Sequence, residues 1–267
     1  METFVLNRPT KGRVPILLSV PHCGTLIPDD INNEFDPAQI ADLDDTDWFV
    51  DQLYDFAPSM GITLLSATIS RWVIDLNRTP DNQPLYTDGR VITGLCPVTD
   101  FLGNPIYRDK RESVNPDEIE NRKSLYYFPY HQQIEMLLDE LKKEFNQVLI
   151  WDCHSIRQHV PSIRKDLFPD LILGDADGTS ASPGLSEITL RNLEGANRMI
   201  THNDPFKGGY ITRHYGKPGE RVHALQLEMS KINYMDDAER SYHKHRADRI
   251  RETLKRNFDE LAALLLS

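Results

Sequence analysis

The sequence predicts an α/β domain whose mainly parallel sheet is covered by helices on both faces, and three observations carry that expectation. Apolar strand-length runs alternate with helix-length amphipathic segments along the chain. The run Val148, Leu149, Ile150, Trp151 shows no polar alternation, as expected of a strand buried on both faces. No repeat, low-complexity run or charge block divides the 267 residues, so one domain over 1–267 is expected.

Taken in order, residues 15–24 form an apolar strand with a polar tip, Pro21-His22-Cys23-Gly24. Residues 37–60 read as a helix: Trp48, Val50, Leu53, Tyr54 and Ala57 fall at helical spacing, and Asp42, Asp44, Asp45, Asp47 and Asp51 make its first half acidic. Residues 61–67 are a third apolar run, and 72–78 alternate as a fourth strand should. From 79 to 115, prolines and glycines are dense, which predicts a long excursion able to close over a site. Asn115-Pro116 caps a helical region to about 146, with a break expected at Pro129. It leads into the strand at 148–155. Further strands are expected at 171–175, 209–213 and 222–229, and helices at 184–200 and 236–265.

A net charge of −11 argues against nucleic acid or an anionic membrane as the main partner, but not against a small anionic substrate met by local arginines. Three scattered cysteines offer no disulfide framework, and no signal peptide or membrane-length apolar run appears, so a cytoplasmic location is expected. No glycine-rich phosphate loop is present.

The strand tips carry the chemistry. In open α/β sheets, sites form at the carboxyl ends of strands, and His22 and His154 both stand there. With a carboxylate from the acidic segment they would make a two-histidine, one-carboxylate metal set. The same residues also read as a hydrogen-bonded histidine pair beside a solvated acidic face. Glu228 is a carboxylate in an apolar strand: buried, it would have the raised pKa of a general base, whereas alternation with Gln226 also allows a solvent-facing edge. Arg71, Arg78 and Arg213 offer planar forks for a substrate carboxylate, or ordinary surface ion pairs. Cys153 beside His154 is a poor nucleophile pair, because neighbours on a strand face opposite ways.

Six segments in order, Ser19–Gly24, Asp45–Trp48, Ser70–Arg78, Asp152–Ser155, Gly208–Tyr210 and Gln226–Glu228, resemble the N-formylglutamate amidohydrolase family. The resemblance spans about residues 13–235 and implies a fold similar to the zinc carboxypeptidases, a mixed, mostly parallel sheet between helices. It implies one divalent metal, zinc by family likeness, on His22, His154 and Asp47, with Asp45 as the rival carboxylate. It implies Glu228 as general base, Arg71 as the group that polarises the scissile carbonyl, and Asn77 with Arg78 as the substrate-carboxylate pair. Arg213 stands as a further substrate contact and Asp152 as a supporting carboxylate. The implied reaction releases formate and glutamate from N-formylglutamate. Another N-acyl amino acid, a small peptide, or a non-catalytic binder of acidic amino acids are the alternatives, and oligomeric state is left open.

Overall fold

The computed structural model describes residues 2–85, 93–194 and 198–267. Its strands are β1 (Phe4–Asn7), β2 (Ile16–Val20), β3 (Thr63–Ala67), β4 (Val148–Ile156), β5 (Leu171–Gly174), β6 (Ile200–His202) and β7 (Val222–Ser230). The helices are α1 (Asp29–Asn32), α2 (Pro37–Ile40), α3 (Val50–Leu53), α4 (Pro116–Arg122), α5 (Phe128–Glu144), α6 (Pro183–Glu194), α7 (Tyr210–Tyr215) and α8 (Lys244–Leu266). The strands form one sheet in the order β1-β3-β2-β4-β7-β5-β6. The four central strands β3, β2, β4 and β7 run parallel, and β1 and the β5–β6 pair run against them. The sheet is therefore mixed and mostly parallel, flanked by helices, as expected.

Strand periodicity sorts the core. Leu149, Trp151 and Cys153 of β4 join Leu225 and Leu227 of β7 on the face packed against Ile250, Leu254, Phe258 and Leu261 of α8. Val148 and Ile150 join Val222 and Ala224 on the opposite face, under Ile134, Leu137 and Leu141 of α5. Cys153 is thus a core residue turned away from His154. From β2 the chain goes to β3 on one side and then crosses to β4 on the other. That reversal opens a crevice at the carboxyl ends of β2 and β4.

Five expectations are corrected. Residues 37–60 are not one helix: α2 and α3 are separate single turns, and between them Leu43 (φ 45°) and Phe49 (φ 63°) take left-handed backbone. The inward pull of two aspartates explains the break. Asp45 accepts from Trp72 Nε1 (3.0 Å) and from Phe101 N (3.1 Å), and Asp47 points to the histidines. Residues 72–78 form turns rather than a strand, because Asp75 Oδ1 takes the backbone N–H of Asn77 (2.8 Å) and Ser70 takes that of Val73 (2.9 Å). Residues 210–213 belong to helix α7 and Gly209 caps it; its leading amides are met from outside, Tyr210 N by Asn77 O (3.2 Å) and Ile211 N by Asn77 Oδ1 (2.7 Å). The break before Pro129 is a π turn, Lys123–Tyr127, which accommodates the N–H that Pro129 lacks. The helix expected over 184–200 does not reach Ile200, which opens β6 beside Leu171 of β5, and β1 carried no sequence expectation. The expected closure of 79–115 falls partly on residues 86–92, outside the described residues. Among the described residues no helix is long and apolar enough to cross a membrane.

Candidate active site

The crevice is built by register. In the β4–β7 pair Asp152 stands opposite Gln226 and His154 opposite Glu228, all on one face. Beside them β2 ends in the turn bearing His22, and the 41–49 loop folds back over it, with Asp47 N bonded to His22 O (3.0 Å). His22, Asp47 and His154 are brought together, with one ligand atom from each lying within 4.8 Å of the others, and all three are buried. Asp47 Oδ2 sits 3.2 Å from His154 Nδ1 and 3.7 Å from His22 Nδ1. Asp45, tied to Trp72 and Phe101, is outside this group.

Each imidazole is held by its other nitrogen. His22 Nε2 bonds Asp75 Oδ1 at 2.7 Å, which leaves Nδ1 as a buried lone pair without a hydrogen-bond partner. His154 Nε2 lies 3.0 Å from Asp152 Oδ1 and 2.8 Å from Asn77 Nδ2. Burial works against charge on His154 and Asp47, but their neighbours outweigh it. Asp152 and Asp47 hold His154 well above its usual pKa, and the two imidazoles hold Asp47 below the carboxylate range. The three donor atoms, two nitrogens and one oxygen, are of the kind a divalent metal ion takes.

Burial pushes Glu228 up to about 8; His154 and Arg71 pull it down and Asp47 pushes it further up. Half-buried, it lines the cleft. Arg71 also lines the cleft, with Nη2 on Asp75 Oδ2 (2.6 Å) and its guanidinium 4.7 Å from the Phe101 ring centre. Arg78 lines it with Nε bonded to Thr93 O (2.8 Å). Asn77 is more occupied than its expected role requires. Its Nδ2 donates to Asp152 Oδ2 (3.0 Å) and its Oδ1 accepts from Ile211 N. Arg213 is not part of the wall: on α7 its side chain is exposed, with Nε on Gly208 O (2.8 Å).

Asp75 had no role in the sequence reading, although an acid inside Trp72-Val73-Ile74-Asp75-Leu76 is the same buried-charge signal that singled out Glu228. Gln226 was also missed: its Oε1 accepts from Gly209 N (2.7 Å) and so fixes the glycine turn at the rim. The cleft encloses about 660 Å³ with its open mouth included. It has a charged floor and an apolar side formed by Phe101, Ile156, Ile163 and Phe206.

The six segments that contribute to this floor all lie within the stretch matched by a known family. The family model described as N-formylglutamate amidohydrolase matches residues 14–235. The chain belongs to that family. A Pseudomonas aeruginosa protein named N-formylglutamate deformylase is 41% identical over 259 residues, covering 95% of this chain and 94% of its own. A Pseudomonas putida protein of the same name is 40% identical, covering 86% and 85%. The crystal structure of N-formylglutamate amidohydrolase from Ralstonia eutropha superposes with a TM-score of 0.84 at 27% identity, covering 99% of both chains.

Proposed function

We propose that this member of the N-formylglutamate amidohydrolase family is a metal-dependent hydrolase that releases formate and glutamate from N-formyl-L-glutamate. The observation that supports it most is the buried His22–Asp47–His154 group facing Glu228 across one cleft. The orphaned Nδ1 of His22 and the oxygen of Asp47 between the two rings fit one zinc-like ion, held by His22, Asp47 and His154. When bound, such an ion supplies Lewis acidity and a water acidified to a pKa of about 7.

The chain's own residues do the rest. Glu228, kept basic by burial, takes a proton from the attacking water and hands it to the departing amine nitrogen as the C–N bond breaks. Arg71 is positioned by Asp75 to donate to the carbonyl oxygen as negative charge develops there. Arg78 meets a substrate carboxylate, which resolves the apparent conflict between an anionic substrate and an acidic protein. Asp75 and Asp152 orient the two imidazoles.

Metal analysis paired with a formate-release assay on N-formylglutamate tests this. One zinc per chain and formate release that chelators abolish are expected; zinc without release would overturn the substrate. The apolar side of the cleft favours a second reading of the same chemistry on a longer, less polar N-acyl group. Rates on N-formyl- and N-acetylglutamate, compared with longer acyl chains, separate the two.

A further inference from the structure

The carboxylate of the metal group is presented by an irregular loop, which by itself would hold it poorly. Between α2 and α3 the 41–49 segment contains no regular element and carries a non-glycine residue, Phe49, in left-handed backbone. Its position must be set from outside. Lys231 Nζ donates to Asp44 O (3.3 Å), and the Arg157 guanidinium pairs with the Asp44 carboxylate.

The most specific tether is Tyr234. Its side chain is fully buried in the apolar cluster under α8, yet its hydroxyl lies 2.9 Å from Trp48 O and 2.8 Å from Ser155 Oγ. The phenol has one proton, and the carbonyl can only accept. The tyrosine therefore donates to Trp48 and accepts from the serine. Trp48 directly follows Asp47, and Ser155 directly follows His154. One buried oxygen thus joins the chain next to the carboxylate to the chain next to the imidazole. Packing alone does not call for this oxygen, since a phenyl ring would fill the same apolar volume without a polar group to desolvate.

We propose that Tyr234 is a positioning residue for the metal group. Its hydroxyl, with Ser155, sets the spacing between Asp47 and His154 and thereby the affinity for the ion. The inference rests on the metal reading above. The 231–234 turn holds the phenol in place, with Tyr234 N on Lys231 O (3.0 Å) and His243 N on Tyr234 O (2.8 Å). A ligand pair spaced by two hydrogen bonds through a single side chain loses that spacing when the oxygen is removed.

The test is the zinc Kd of the apo-protein, measured by competition with a chromophoric chelator, for wild type, Tyr234→Phe, Ser155→Ala and Tyr54→Phe. Tyr54 is the control: it is equally buried, but its hydroxyl meets Trp151 Nε1 (3.3 Å) and the Cys153 side chain, both on β4, and so does not bridge two segments. Tyr234→Phe should raise Kd by about 10- to 100-fold, the range expected for a group that orients ligands. Ser155→Ala should move it in the same direction and supplies the readout if Tyr234→Phe fails to fold. Tyr54→Phe should lower the melting temperature with Kd unchanged. Zinc affinity unchanged in both Tyr234→Phe and Ser155→Ala, or weakened as much in Tyr54→Phe, would overturn the inference. Wild type that binds no zinc would overturn the metal reading itself.

Discussion

Asp75→Asn is the most demanding test of the site, because this one carboxylate serves three donors. It is fully buried and accepts from His22 Nε2 (2.7 Å), Arg71 Nη2 (2.6 Å) and Asn77 N (2.8 Å). An amide offers one oxygen where the carboxylate offers two. If that oxygen keeps His22 and Asn77, the amide nitrogen faces the guanidinium, donor against donor, and Arg71 becomes a buried cation without its counter-ion. Breaking a buried pair in this way costs about 3–5 kcal/mol. For a chain of this size each kcal/mol moves the melting temperature by about 2–4 °C, so a drop on the order of 10 °C is expected. The alternative rotamer spares Arg71 but leaves the His22 ring unoriented, which should weaken zinc binding by about 10- to 100-fold. Thermal unfolding and chelator competition on the same preparations read both losses. A variant that melts within 2 °C of wild type, by a threshold set from about 1 kcal/mol, and binds zinc normally would refute the role given to Asp75.

Other predictions follow from the same geometry. Glu228→Gln should retain zinc and lose about 10²- to 10⁴-fold in kcat, the range for a general base; steady-state rates with metal analysis decide, and full activity would remove Glu228 from the mechanism. Because burial raises the folded Glu228 pKa from 4.5 to about 8, the folded metal-free protein binds the proton more tightly than the unfolded chain. Stability should therefore fall as pH rises from 4.5 to 8, and Glu228→Gln should flatten that slope in denaturant titrations. His22→Ala and His154→Ala should each bring zinc content after dialysis close to zero, and retention of a full equivalent in either would contradict the ligand set. Gly209→Ala is a steric test: the backbone angle suits alanine (φ −83°), but the added methyl would sit 2.3 Å from Asn77 Nδ2. A loss of about 1–3 kcal/mol is expected from overpacking, with reduced formate release as Asn77 is pushed off Asp152; an alanine variant with wild-type stability would show that Asn77 yields freely.

The sequence by itself determined the sheet and its chemical tips. Apolar runs ending in His22, His154 and Glu228 are legible because a strand buried on both faces leaves no room for polar residues except where it meets a site. The order of six short segments determined the family, because such a combination is far more specific than any one histidine. The tertiary structure decided what local periodicity misstates. Residues 72–78 alternate like a strand, and 41–49 fall within a helical pattern. Yet both fold as turns, because Asp75, Asp45 and Asp47 find partners 27 to 107 residues away that outweigh local preference. Which aspartate approaches the histidines, which residue orients His22, and that Tyr234 joins the two halves of the metal group are all products of such contacts. Side-chain hydrogen bonds to distant residues have no period, so no pattern in the chain announces them.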